Sequence, residues 1–407
     1  MMNALTNTSR PSLKTVLIAS GVVLTLAMGV RHGLGFWMQP ISQANGWTRE
    51  TYSLALAMQN LMWGVFGPFA GMAADRYGTM RVVIFGAISY MAGLLWMALV
   101  TQPSLFIIGS GVFIGLALAC TAFGAISGII GRSAPPEQRS WAFGISSAAG
   151  SFGQFLMMPV EQQLISAVGW QNAFYVLALL VVAAMIPMAF FLREPPVAPG
   201  DGPQQSVGAA FGEAVGNRSF WLLLAGYFVC GFQLVFIGVH LPAYLKDQGL
   251  INPNIAVTAL ALIGLFNIIG SYYAGKLGGK IAKRHLLSAI YVTRAAVIAL
   301  FLLAPVSAWS VYLFAAGMGL LWLSTVPLTN GIIAGIFGVK HLSMLAGMVF
   351  FSHQVGSFLG AWLGGFLYEQ QGTYRVVWMI TIGLGLLAAL INLPIDERAV
   401  KRGVAVA

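Results

Sequence analysis

Charged residues are too scarce in this chain for a water-soluble fold. Asp, Glu, Lys and Arg make up 8% of the 407 residues, whereas hydrophobic residues make up 58%. A soluble domain carries about 25% charged residues, because its surface must face water. So few charges cannot cover such a surface, and the chain is therefore expected to fold in a lipid bilayer.

Long apolar runs, separated by polar or Pro/Gly-rich clusters, indicate how often the chain crosses that bilayer. One spanning helix needs about 20 apolar residues. Runs of this kind cover residues 14–40, 51–74, 82–101, 104–131, 141–166, 170–192, 219–245, 255–275, 286–305, 309–338, 343–367 and 374–395. The sequence therefore predicts an all-α membrane protein with twelve transmembrane helices, which we call spans 1 to 12.

The distribution of basic residues predicts the orientation of the spans. Most of the 21 Lys and Arg residues lie near the two termini or in the connections that follow even-numbered spans. Cytoplasmic segments are enriched in Lys and Arg. We therefore expect the protein to lie in the inner membrane of a bacterial cell, with both termini in the cytoplasm. The net charge of +10 then reflects topology, and no nucleic-acid partner is expected.

An internal repeat predicts how the spans are organised. Gly128-Ile129-Ile130 recurs 203 residues later as Gly331-Ile332-Ile333, and Gly144 recurs at the same offset as Gly347. Two six-span halves with the same orientation are typical of carriers that work by alternating access. The predicted division is a first half over 1–192, a cytoplasmic linker over 193–218 and a second half over 219–407.

The connection between spans 2 and 3 carries the most specific motif, Gly71-Met-Ala-Ala-Asp75-Arg76-Tyr-Gly78-Thr-Met-Arg81. Asp75 stands at a helix end, where it can pair with basic groups and with the N-terminus of a neighbouring helix. Gly71 permits close helix contact, and Gly78 permits a tight turn. The motif resembles the signature of the major facilitator superfamily, which implies a carrier whose cytoplasmic side this segment latches closed. The alternative is an ordinary charged loop.

Basic residues inside the predicted spans indicate the charge of the cargo. Among acidic residues, Glu161 alone falls within a predicted span, near its outer end, and mid-membrane carboxylates are absent from the pattern. Arg31, His32, Arg294 and His353 all fall within spans, where ionisable groups are costly and mark functional sites. A substrate anion would supply the missing counter-charge. His353 and His32 are also candidates for carrying a proton.

Neutral amides on the same set of helices complete a predicted substrate site. Its residues are Arg31, His32, Gln59, Asn60, Gln154, Gln233, Asn267, Asn330, His353 and Gln354. All of them except His32 have a simpler alternative. The amides and His353 could form hydrogen bonds between helices, Arg31 could reach outward to the interface, and Arg294 is better explained by a structural role.

Within the superfamily, the chain looks most similar to the monocarboxylate transporter and oxalate/formate antiporter group. Span 8, from Leu265-Phe266-Asn267 to Gly275, resembles the group's pattern L-F-N-x-x-x-R-P-x-x-G, and His353 falls where the oxalate/formate branch has a lysine. This resemblance implies carboxylate binding. The arginine of the span 8 pattern is replaced here by Ser271. Either Arg31, His32 and His353 have taken over anion binding, or the cargo is not a simple carboxylate.

The sequence therefore predicts a monomeric secondary carrier of small organic anions, with monocarboxylates as the expected class and a proton as the expected co-substrate. The segment from Gly270 to Leu277 lacks the Ser or Thr that a phosphate-binding loop requires. We expect no cofactor, no metal site and no enzymatic activity. The alternatives are an exporter of amphipathic compounds or drugs, and a sensor that does not transport.

Overall fold

The computed structural model describes residues 11–47, 49–194, 205–250 and 252–400, without the side chains of residues 39, 49, 50, 53 and 253. Part of the predicted linker, residues 195–204, lies outside the described residues, as do both chain ends. Within these ranges every regular element is a helix. The all-α fold class is thereby confirmed.

Each predicted span corresponds to a long helical segment within the described residues. In chain order the segments are Leu13–Trp37, Arg49–Tyr77, Thr79–Leu99, Pro103–Ser133, Arg139–Val168, Trp170–Phe190, Arg218–Asp247, Pro253–Leu277, Lys283–Leu303, Ala308–Phe337, Leu342–Gln371 and Arg375–Asn392. Ten of them are long and apolar enough to cross a membrane. Spans 2 and 5, at 29 and 30 residues, are long enough but carry more polar side chains.

Three spans depart from a continuous α-helix. Span 1 tightens into a 3-10 turn at Leu34–Trp37 and continues as a short helix, Met38–Asn45. Span 4 contains a π-helical turn at Gly109–Ile114. Span 10 consists of two helices, Ala308–Leu321 and Thr325–Phe337, with a break between them. Each break frees backbone carbonyls that other groups must satisfy.

The first six and the last six spans pack in related patterns. Span 1 packs along span 5, and span 7 packs along span 11. The two sets of six meet where span 2 crosses span 11 and where span 5 crosses span 8. A Cβ on Gly144 would lie 2.9 Å from the Cα of Gly275, and one on Gly347 would lie 2.6 Å from the carbonyl oxygen of Gly67. Both crossings are therefore contacts between backbones, as small residues permit.

One end of the bundle, which we call the basic face, carries the connections that follow even-numbered spans. Its Lys and Arg residues include Arg76, Arg81, Arg132, Arg139, Lys283, Arg284 and Lys340. All four ion pairs within the part of the chain that the structure describes lie at this face. The short helix Val207–Val215, begun by the capping side chain of Ser206, precedes span 7 at the same end.

Candidate functional site

Two basic side chains lie near the outer end of span 1, and one of them, Arg31, contacts span 2. The guanidinium of Arg31 donates to the side-chain oxygen of Asn60, and its centre lies 4.8 Å from the ring centroid of Trp63. Nη1 of Arg31 lies 3.1 Å from Nε2 of His32, whose Nδ1 lies 2.7 Å from the carbonyl oxygen of Met28. A guanidinium only donates and a carbonyl only accepts. His32 is therefore neutral in this arrangement.

The positive charge of Arg31 has no acidic partner. No carboxylate of the described side chains lies within 4 Å of its guanidinium, because the ion pairs of those residues all lie at the basic face. The Nε atom of Arg31 is buried and lacks a hydrogen-bond partner. The amide of Asn60, the ring of Trp63 and the imidazole of His32 thus surround the permanently charged guanidinium. The arrangement can accept an anion without first breaking an ion pair.

Hydrogen bonds extend from Arg31 through span 2 to span 11. Nε2 of Gln354 donates to the backbone oxygen of Asn60 over 2.9 Å. Oε1 of Gln354 lies 3.2 Å from Nδ1 of His353, whose ring stacks on Phe350. The structure therefore brings five predicted site residues together at one junction of spans 1, 2 and 11: Arg31, His32, Asn60, His353 and Gln354. We call this group the central cluster.

Other predicted site residues lie in separate contacts. Asn267 donates to the hydroxyl of Ser151 over 2.7 Å and accepts from the hydroxyl of Ser271 over 3.1 Å, at the crossing of spans 5 and 8. Asn330 donates to Ser127 over 3.0 Å. Gln59 and Gln154 are buried, and the amide nitrogen of Gln59 has no partner among the described atoms.

Arg294 and Gln233 form a second polar network around the break in span 10. The guanidinium of Arg294, fully buried, donates to the carbonyls of Leu321 and Trp322 over 2.5 and 2.6 Å. Its Nη1 lies 3.4 Å from Oε1 of Gln233, whose amide nitrogen donates to the carbonyl of Thr381. Arg294 thus satisfies the carbonyls that the break exposes, as in the structural role expected from its place on span 9.

The motif between spans 2 and 3 joins the two sets of spans at the basic face. Oδ1 of Asp75 pairs with Arg132 at 2.9 Å, and Oδ2 accepts from the backbone N–H of Met344, at the start of span 11, also at 2.9 Å. Gly71 lies against the backbone of Ser343, where a Cβ would overlap it. The bundle is therefore closed at the basic face.

The remaining motif residues have local positions. Gly78 has a φ of 90°, which allows span 2 to turn directly into span 3. Arg76 is exposed and lies over the ring of Tyr77, with 5.2 Å between the guanidinium and the ring centroid. Arg81 is exposed as well. Asp75 and Gly71 make the closing contacts, whereas these two arginines are exposed.

Two glutamates at this face were not among the residues predicted from the sequence. Glu194 pairs with Arg132 at 2.6 Å and accepts from the backbone N–H of Thr79, the first residue of span 3. Glu397 accepts from the backbone N–H of Arg284, at the start of span 9, over 2.8 Å. A carboxylate at a helix N-terminus is favourable. The two residues are 203 apart, so the repeat offset applied to acidic residues would have found them.

A bundle of membrane-spanning helices, built from two similarly packed sets of six around buried polar residues, defines a membrane carrier of solutes. The chain belongs to the Major Facilitator Superfamily, whose family model matches residues 18–326. The predictions of the superfamily, of a multi-pass membrane protein and of a transporter rather than an enzyme are thereby confirmed.

Similar proteins span nearly the whole chain. An uncharacterized MFS-type transporter of Bacillus subtilis is 25% identical over 94% of this chain and 95% of its own length. The oxalate:formate antiporter of Oxalobacter formigenes is 21% identical, with coverages of 95% and 93%. Monocarboxylate transporter 11 of Mus musculus is 25% identical, with coverages of 90% and 83%. The predicted likeness to the monocarboxylate and oxalate/formate group is confirmed.

Solved structures show the same fold. The fucose:proton symporter FucP of E. coli superimposes with a TM-score of 0.70 at 17% sequence identity. The match covers 94% of this chain and 99% of that one. At this identity the likeness concerns the fold alone.

Proposed function

We propose that this transporter carries small organic anions, with monocarboxylates as the first class to test. The observation that carries the proposal is the unpaired charge of Arg31, which lies among neutral partners beside Asn60 and Trp63. A permanent cation that is partly buried is stabilised by an anion that enters its site. A similar protein of Cupriavidus necator, 25% identical, is named a probable sulfoacetate transporter, and the oxalate:formate antiporter also handles anions.

In this proposal, binding begins with the exchange of one partner for another. A carboxylate that reaches the central cluster replaces the oxygen of Asn60 on the guanidinium of Arg31, since a charge-assisted pair is stronger than a neutral one. Asn60 is also bonded to Gln354 of span 11 through its backbone oxygen. A movement of span 2 upon this exchange would therefore be transmitted to span 11. His353, on span 11, would then help to balance the charge of the anion.

The basic face is proposed to be cytoplasmic, since Lys and Arg are concentrated there. Hydrogen bonds between the two sets of spans lie between this face and the middle of the described bundle. Among them, Met344 donates to Asp75, Asn330 donates to Ser127 and Gln354 donates to Asn60. The proposed conformation is thus closed to the cytoplasm of a bacterial cell. Residues 1–192 and 219–407 are proposed to rock as two halves of a monomer, joined by the linker 193–218.

The test is counterflow in proteoliposomes loaded with acetate, pyruvate, oxalate or sulfoacetate. We expect uptake of one labelled anion by the wild type and a loss of at least tenfold in Arg31→Gln. The matched control is Arg375→Gln, which removes an exposed arginine from the start of span 12. Equal anion uptake by Arg31→Gln and the wild type would remove Arg31 from the mechanism and with it the basis of the proposal.

A second candidate function follows from span 8. Ser271, in place of the arginine of the carboxylate-carrier pattern, donates its hydroxyl to Asn267 and adds no charge to the centre. If no acid is transported while amphipathic compounds drive counterflow, an exporter of such compounds replaces the anion carrier. The same liposomes test both, since only the loaded solute changes.

A further inference from the structure

Glu161 of span 5 is an acid buried without a partner. Its side chain is 0% exposed, and neither carboxyl oxygen has a hydrogen-bond partner within the structure described. Burial of an unpaired carboxylate is far more costly than burial of the neutral acid, so such a group binds a proton instead. The carboxyl is therefore protonated in this conformation.

The carboxyl lies against the backbone of span 1. Spans 1 and 5 touch at intervals of four residues on each helix, which is the spacing of one helix face. The contacting pairs are Thr25 with Gly153, Gly29 with Met157, and Gly33 with Glu161. We call this contact the 1–5 seam. Because Gly33 has no side chain, the carboxyl occupies the space that a Cβ would take.

The other ionisable groups near the seam are already bonded elsewhere. Tyr52 of span 2 and Tyr90 of span 3 lie close enough to interact electrostatically with Glu161, but their hydroxyls donate to the carbonyls of Leu34 and Ala27.

Arg31 and His32 of span 1 bond to each other and to span 2 or their own helix. Away from the basic face, spans 6 and 10 contribute only the ionisable side chains Tyr175 and Tyr312, and the same part of span 8 contributes none.

The last six spans contain a contact that corresponds to the one between Gly33 and Glu161. The repeat offset of 203 takes Glu161 to Gly364 of span 11, and there the ring of His240 from span 7 fills the space beside the glycine. Both ring nitrogens of His240 have partners, at 2.8 Å from the oxygen of Ala361 and 3.3 Å from the hydroxyl of Tyr374. An ionisable group thus lies at the same place in each set, and of these two groups the acid is the one without a partner among the described atoms.

We propose that Glu161 is the proton-binding site of this transporter, and that the 1–5 seam couples its proton to the anion site. The proposal rests on the proposed function for its anion. Arg31 and Gly33 are two residues apart, so they point about 200° apart around span 1. One helix thus contacts the central cluster on one side and the carboxyl on the other. The seam stays closed while the anion is bound, and displacement of span 1 upon release of the anion opens it.

The chemical step is a simple proton exchange. While the seam is closed, the carboxyl keeps its proton, because the charged form has no partner. When water enters the opened seam, the O–H bond breaks and the proton passes to water, which then solvates the carboxylate. Re-closure requires a proton from the water on whichever side is open. Binding and release on opposite sides move one proton with each anion.

The first arm of the test needs no substrate. Infrared difference spectra of the protein in lipid, recorded between acidic and alkaline pH, are expected to show a protonated carboxyl band that Glu161→Gln removes. Glu369→Gln is the matched control, since Glu369 is an exposed acid near the end of span 11. Identical spectra for Glu161→Gln and the wild type would overturn the proposal.

The second arm measures transport in proteoliposomes with an internal pH dye. The amide in Glu161→Gln imitates the protonated acid, so anion counterflow is expected to persist, whereas acidification accompanying anion uptake is expected to fall at least tenfold. Acidification in Glu161→Gln equal to that of the wild type would overturn the proton site while the anion carrier stands. Absence of counterflow in the wild type would overturn the anion carrier, and the infrared arm alone would then decide on Glu161.

Discussion

At the scale of single residues, the central cluster depends on the absence of a carboxylate beside Arg31. The side chain that contacts the guanidinium belongs to Asn60, which is neutral. A carboxylate at this place would bind the guanidinium much more strongly, because two opposite charges about 4 Å apart interact by roughly 4 kcal/mol at the effective dielectric constant of a protein surface. A single acid in the cluster would therefore satisfy Arg31 permanently.

The variant Asn60→Asp tests this balance. We expect anion uptake to fall at least tenfold, because the substrate would have to displace a bound carboxylate from Arg31, whereas Asn60→Ala should retain part of the uptake. Initial rates of counterflow in proteoliposomes measure both. Uptake by Asn60→Asp at the wild-type rate would show that Arg31 does not meet the anion.

The 1–5 seam permits a test of packing that does not depend on transport. Gly33→Ala places a methyl group where the carboxyl of Glu161 lies, and overpacking of this kind costs about 1–3 kcal/mol. We expect a lower melting temperature in detergent, and partial recovery in the double variant Gly33→Ala with Glu161→Ala. Additive effects of the two changes would mean that the side chains do not share one space.

At the scale of helices, hydropathy predicted where the helices lie in the sequence. It predicted less well where they end and where their backbone is interrupted. The predicted span at 51–74 is observed as Arg49–Tyr77, because a helix continues beyond the lipid with polar residues on its last turns. The break in span 10 and the π turn of span 4 were not predicted, since an apolar run has the same composition whether its backbone is regular or interrupted.

The same limit applies to the candidate site. Residue type and depth predict Arg31 and His353 as site residues, but they do not tell on which face of its helix each side chain lies. Gln233 was therefore predicted in the same substrate site as Arg31 and His353, although its amide bonds to span 12 and Arg294. Glu161 was predicted to lie within a span, near its outer end, but its lack of partners depends on packing between spans, which no periodicity in the sequence reveals.

Arg294 should act on the stability of span 10. In Arg294→Met, the side chain keeps much of its bulk but the carbonyls of Leu321 and Trp322 lose their donors. Each unsatisfied buried group costs about 1–3 kcal/mol. We expect earlier thermal unfolding in detergent, while Arg375→Met, at an exposed site, should unfold like the wild type. Unchanged unfolding of Arg294→Met would show that the break does not need the guanidinium.

At the scale of the whole molecule, closure of the basic face depends on a few polar contacts between the two sets of spans. Asp75 accepts from the backbone N–H of Met344 at the start of span 11, and Ser343 donates to the carbonyl of Ala125 on span 4. Because each contact is worth only about 1–3 kcal/mol, loss of one should shift the population of conformations rather than unfold the protein.

The variant Asp75→Asn tests this latch. A neutral amide accepts more weakly from the backbone N–H of Met344, which lies in the other set of spans, so we expect the basic face to open more often. The readout is labelling of Ser127→Cys, a buried site between the two sets of spans, by a membrane-impermeant maleimide in a background without Cys120 and Cys230. We expect labelling of this cysteine to be several-fold higher in Asp75→Asn than in a protein that keeps Asp75. Equal labelling would argue that the latch does not control closure.

The glycines at the two helix crossings also restrict how this gene can change over time. Every amino acid other than glycine has a Cβ, and at Gly144, Gly275 and Gly347 that atom would collide with the backbone of the opposite helix. Any replacement codon therefore brings the same steric conflict, however similar its amino acid. Lineages that keep this transport cycle should retain glycine at all three positions, while leucines that face lipid drift freely around them.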